Sequence, residues 1–195
     1  PCSCGSGKKF KKCCLHKIPV VKPSPEFKLI NEPELEEYDE LVLLMEEGDD
    51  ALRNKENTKV CDIWLEVWDK LKPKFKRGVK NISDAEDVVK GFNFLFNWTQ
   101  DLEIELGNAG SDNPEYYKKR IKYCDEFCTI FPESDVITIH NMKRAIAESY
   151  YAIDDVEEGY TCFSNLIEQY PDNIWSYVGW GDMYGYPMNK NAEPD

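Results

Sequence analysis

Four cysteines crowd the first fourteen residues: Cys2, Cys4, Cys13 and Cys14, in the spacing C-x-C-x8-C-C. Four thiolates are a ligand set that a tetrahedral zinc ion takes up readily. Cys2 and Cys4 would supply one pair from a tight bend, and Cys13 and Cys14 would close the site. Gly5 and Gly7 let the chain reverse between them, and Lys8, Lys9, Lys11 and Lys12 offset the thiolate charge. Phe10 is the one large apolar side chain available to pack so small a unit. A peptide of this length cannot bury enough surface to fold alone. Metal binding would therefore supply most of the folding free energy, roughly 10 kcal/mol or more for structural zinc. Four protein ligands leave no open coordination position, which argues against catalysis at the metal. Two alternatives use the same residues: a pair of disulfides, or His16 in place of Cys14 as the fourth ligand. Against the disulfides stand the adjacency of Cys13 and Cys14 and the scatter of Cys61, Cys124, Cys128 and Cys162 through apolar helical patterns, which suits a reducing cytosol.

The run Pro1-Cys2-Ser3-Cys4-Gly5-Ser6-Gly7-Lys8-Lys9-Phe10-Lys11-Lys12-Cys13-Cys14 resembles the SEC-C motif, the zinc-binding tail of the bacterial preprotein-translocase ATPase SecA. Cys14 stands where that tail often has His. The resemblance implies zinc binding and a bacterial source. It also implies docking to proteins, to ribosomes or RNA, or to anionic lipid, with Lys8, Lys9, Lys11 and Lys12 facing the anionic partner. It covers only these residues, and the motif occurs attached to many unrelated domains.

The rest of the chain offers little that could catalyse. There are two histidines, His16 near the knuckle and His140 at a predicted helix start. Gly5-Ser6-Gly7-Lys8 is too short for a phosphate-cradling loop. Cys124 and Cys128 lie one helical turn apart, but no His or Cys near them in sequence completes a metal site, so they read as buried thiols. Acid clusters such as Glu36-Glu37 and Asp154-Asp155 read as solvated helix faces. The expectation is a non-enzymatic protein; an enzyme or toxin-like effector is the third-ranked alternative.

The elements that must carry these residues follow from charge and periodicity. Residues 1–28 hold seven lysines against Glu26, a net of +6, so the remainder carries −19 of the total −13. A cationic appendage thus sits on an anionic body, and attraction to nucleic acid or anionic membranes must come from the appendage. No apolar run reaches bilayer length and no signal-peptide pattern opens the chain, so the expected location is cytoplasmic. Residues 18–30, with Pro19, Pro23 and Pro25, predict an extended linker between a knuckle at 1–17 and an all-α body at 31–195.

Apolar spacing in the body predicts a first helix from Asn31 to about Gly48, and a second through Trp64 and Trp68 that ends before Pro73. A long third is capped by Ser83 and Glu86 and runs to Gly107, and a fourth runs from Pro114 to Pro132. Three more fall near 135–152, 155–170 and 173–185. Trp64, Trp68 and Phe163 are expected in the core.

The C-terminal part resembles the tetratricopeptide repeat (TPR), a helix-hairpin unit of about 34 residues. Ala147, Tyr150, Gly159, Phe163 and Pro171 carry the resemblance, and the clearest repeat covers 140–173. It implies an antiparallel helix-hairpin array with a concave face lined by Asn141, Arg144, Glu148 and Tyr151, continued by Trp175, Val178 and Asp182, that holds a protein segment. The functional expectation is a zinc-binding adaptor with two partners; the second-ranked alternative is a ribosome- or nucleic-acid-associated factor.

Overall fold

The computed structural model describes residues 32–75, 78–89 and 94–185. Among these the secondary structure is entirely helical: α1 (Glu32–Arg53), α2 (Asn57–Leu71), α3 (Ile82–Val88), α4 (Leu95–Asp112), α5 (Glu115–Ile130), α6 (Val136–Ala152), α7 (Val156–Gln169) and α8 (Ile174–Gly185), with a 3₁₀ turn at Lys72–Lys74. The chain divides into two units at Glu36/Glu37, and the second unit holds the helical core.

Periodicity sets that core. Along α2 the residues Val60, Cys61, Trp64, Val67, Trp68 and Leu71 are buried, an unbroken stripe at three- and four-residue steps. Trp68 sits at the centre of an aromatic cluster with Phe75, Tyr123, Phe127 and Phe131, its ring 5.0 Å from that of Tyr123. Its indole N–H donates to Glu126 Oε2 at 2.9 Å, and Lys72 Nζ donates to the same oxygen at 2.8 Å. The one polar atom of that buried ring is therefore satisfied, so its apolar area counts fully toward stability. Truncating such a residue costs about 3–5 kcal/mol.

A second, smaller cluster joins the last three helices. Ala147, Phe163 and Leu166 are its buried centre, with Tyr151, Tyr170, Trp180 and Met183 packed around them. Phe163 and Trp180 stack nearly parallel, centroids 5.9 Å apart. Gly159 matters here because a Cβ at that position would lie 2.5 Å from the Tyr151 ring, so α6 and α7 approach as closely as they do only without one.

Two expectations about helix ends are corrected. The first helix does not stop at Gly48 but continues to Arg53. Gly48 lies against the Trp64 indole, where a Cβ would collide, so this glycine serves a helix–helix contact and not a terminus. The helix ends instead where Lys55 adopts φ 59° and the Glu56 N–H returns to the Ala51 carbonyl at 3.0 Å. The long third helix is two helices, α3 and α4. Asn81 caps α3 by accepting from the Ser83 N–H at 2.9 Å, and Glu86, expected to complete a capping box with Ser83, accepts from the Phe96 N–H at 3.0 Å and so caps α4. A further end, expected at Gly107, falls instead at Asp112, with Gly107 inside α4; the remaining boundaries fall within a few residues of the periodic patterns, with Pro114 immediately before α5 and Pro171 just after α7.

Candidate functional site

The knuckle residues Cys2, Cys4, Cys13 and Cys14, the lysines Lys8, Lys9, Lys11 and Lys12, and His16 lie outside the described residues. Among the described residues no group of three or more His, Cys, Asp or Glu side chains could hold a metal ion. The four body cysteines are free thiols. Burial, reinforced by Glu105 and Asp62, pushes the Cys61 thiol up to about 12, and burial pushes Cys128 up to about 11. Cys124 is raised well above its ordinary value by burial and by Glu103, and Cys162 is raised by burial and by Glu158. Thiols held protonated in this way are poor nucleophiles and poor ligands.

The polar chemistry of the body gathers where α4, α5 and α6 meet. Arg120 of α5 donates through Nε to Glu103 Oε1 of α4 at 2.8 Å, and its Nη2 bonds the same oxygen. It also reaches Glu148 Oε2 and Ser149 Oγ of α6, both at 3.4 Å. Glu148 is shared: its Oε1 takes Arg144 Nη1 at 3.1 Å. Arg120 and Glu103 are each only 12% exposed. Burial opposes the Arg120 charge, but Glu103 and Glu148 outweigh it and raise the group above its ordinary value. Two arginines and two glutamates thus neutralise each other in a half-dry setting, where pairing is required if the charges are to be buried at all.

This network floors a groove of about 310 Å³ lined by Ile104, Gly107, Asn108 and Ser111 of α4, Tyr117 of α5 and Arg144 of α6. The close α4–α5 approach beside it needs Gly110, since a Cβ there would sit 2.6 Å from the Tyr117 ring. Ile104 is 51% exposed at the groove, and Arg144 Nε is buried without an acceptor.

Of the predicted face residues, Asn141 is half-buried on α6, and Arg144 and Glu148 belong to the ion network. Tyr151 packs against Gly159 and Phe163, and its hydroxyl accepts from Trp180 Nε1 at 3.0 Å. Trp175 and Val178 of α8 are exposed, at 59% and 40%, and Asp182 is exposed too. His140 lies one turn inside α6 and is fully buried, its Nε2 2.7 Å from Ser176 Oγ of α8. Burial, with Arg144 one turn along, lowers its pKa against a smaller opposing effect of Asn141.

Sequence reasoning missed Arg120 and Glu103. The signal was available for Arg120: it falls three residues after Tyr117 and four before Cys124, inside the buried stripe of α5, where a charge demands a partner.

Residues 1–15 match the family model of the SEC-C motif. The chain matches no curated protein and no solved structure. The similarity to a known family therefore concerns the N-terminal segment that holds the four clustered cysteines, and the helical body stands on its own geometry.

Proposed function

We propose that this chain is a non-enzymatic, cytoplasmic zinc-binding adaptor of bacterial type: a SEC-C knuckle at 1–17, a linker at 18–30, and a TPR-like body at 31–195 that binds a protein segment. The observation that carries the reading is the SEC-C match over residues 1–15, which spans Cys2, Cys4, Cys13 and Cys14. These four cysteines would hold the ion, which supplies folding energy to the knuckle and no open coordination site. Lys8, Lys9, Lys11 and Lys12 would then present positive charge to the knuckle's own partner.

Supporting the repeat reading, α6 and α7 pair through Ala147, Gly159 and Phe163, and α6 also contacts α4 and α8. In a repeat array α4, α6 and α8 would be the first helices of successive hairpins and α5 and α7 the second. The concave positions would then be Asp101, Ile104 and Asn108 on α4, Asn141, Arg144, Glu148 and Tyr151 on α6, and Trp175, Val178 and Asp182 on α8. The body's thiols are held protonated, and its buried arginines and glutamates engage each other, which suits a binding scaffold more than a catalyst.

Elemental analysis tests the knuckle: one zinc per chain is expected, lost in Cys2→Ser/Cys4→Ser with no change in helical circular dichroism. A metal-free wild-type chain, with all four knuckle thiols readily alkylated, overturns it. The segregated charge favours a second reading, in which the lysines contact phosphates of RNA or ribosomes. In that case binding falls steeply between low and moderate salt and disappears when the four lysines are replaced together.

A further inference from the structure

On the repeat reading α4, α6 and α8 share a face, and its charges do not all cancel. Arg120 and Arg144 are matched by Glu103 and Glu148. Asp101 of α4 and Asp182 of α8 are left over, and within the described residues no cation pairs with either. The same two helices carry exposed apolar side chains, Ile104 on α4 and Trp175 and Val178 on α8. Ile104 and Arg144 both line the groove between α4, α5 and α6. The surface is thus partly apolar and carries two unpaired carboxylates.

We propose that the occupant of this face is an extended, basic protein segment, with apolar side chains against Ile104, Trp175 and Val178 and a Lys or Arg toward each of Asp101 and Asp182. The inference rests on the concave-face reading of the body and adds the partner's chemistry to it. Packed helices lie about 8–10 Å apart, so crossing from α4 past α6 to α8 covers roughly 20 Å. An extended chain advances about 3.3 Å per residue, so the two basic residues fall about six positions apart. Phosphate-bearing partners do not suit this face, because their charge repels both carboxylates. Burial already holds Asp101 above the ordinary carboxylate range, and an arriving ammonium or guanidinium would relieve that.

The test is selection of a phage-displayed random peptide library on the full chain, followed by fluorescence anisotropy of the selected peptides. Two variants serve as controls, D101K/D182K and I104S/W175A, each checked for wild-type circular dichroism and melting temperature. Peptides selected on the wild type should be enriched in Lys and Arg about six residues apart around apolar residues. Their affinity should fall roughly tenfold or more on D101K/D182K, the scale of losing two charge-assisted contacts, and should also fall on I104S/W175A. Peptides that lose binding on I104S/W175A but bind D101K/D182K as well as the wild type overturn the charge inference and leave the face reading standing. Peptides indifferent to both variants overturn both.

Discussion

Replacing Arg120 by methionine should destabilise the body by about 3 kcal/mol, and the structure explains that size. The substitution keeps most of the aliphatic bulk and removes the guanidinium, so packing loss is small. Glu103 loses its cation, because among the described residues its ion pair is with Arg120 alone, and it is 12% exposed. Glu148 keeps Arg144 at 3.1 Å and is not orphaned. One uncompensated, mostly buried carboxylate costs toward the lower end of the ~3–5 kcal/mol range for breaking a buried pair. For a body of this size that lowers the melting temperature by roughly 6–12 °C. Urea titration followed by far-UV circular dichroism reads the change as a shift of midpoint at constant slope. The decisive comparison is E103L/R120M, in which both charges leave together. It should recover most of the loss, and it exceeds wild type if the pair is no better than an apolar replacement. A single variant within about 0.5 kcal/mol of wild type, or a double variant no more stable than the single, would refute the reasoning.

Glycines on two helices should respond in opposite senses. Gly110→Ala forces a methyl onto the Tyr117 ring, which the Ser111–Tyr117 hydroxyl contact helps to hold, and should cost about 1–3 kcal/mol by overpacking. Gly181→Ala meets nothing within 4 Å and should stabilise by about 0.5–1 kcal/mol through helix propensity. Both are read by thermal melts. Lys55→Gly should raise stability by about 1 kcal/mol, since φ 59° is strained for a side-chain-bearing residue, and a melt that falls would count against it. His140 makes stability pH-dependent. Its folded-state pKa lies below the ordinary 6.5, so the unfolded chain binds a proton first. The stabilisation is present above about 6.5 and is lost as pH falls from there through the folded-state value. Chemical denaturation across that window should show the decline, and His140→Gln should flatten it.

Much of the body was legible because its signals are local. The stripe from Val60 to Leu71 and the prolines at 73, 114, 132 and 171 mark helices and their ends without reference to anything distant. What escaped depends on partners far along the chain. Gly48 has the residue type of a helix terminus, and only the Trp64 indole pressed against it explains why the helix runs on. Glu86 has the right offset from Ser83 for a capping box, yet an N–H of the next helix, at Phe96, takes its carboxylate. The α3–α4 division was hidden by apolar residues that continue in helical register through it. At the candidate site, repeat register singled out Arg144 and Glu148 as peptide-facing positions, and nothing in it pointed to their ties to Arg120 and Glu103. Those ties cross between helices, and periodicity within one helix carries no information about them.

The thiols of Cys61 and Cys124, which are buried, and of Cys128 and Cys162, which are partly buried, are all raised above their ordinary pKa and give the molecule a quiet background for sulfur chemistry. A thiol-reactive dye added to the folded chain at neutral pH should find these four nearly silent, so rapid labelling reports on the amino-terminal quartet. The same dye added after unfolding counts all eight cysteines. The difference between the two counts turns a single absorbance trace into a gauge of how much of the knuckle is loaded, with no sulfur needing to be mutated away first.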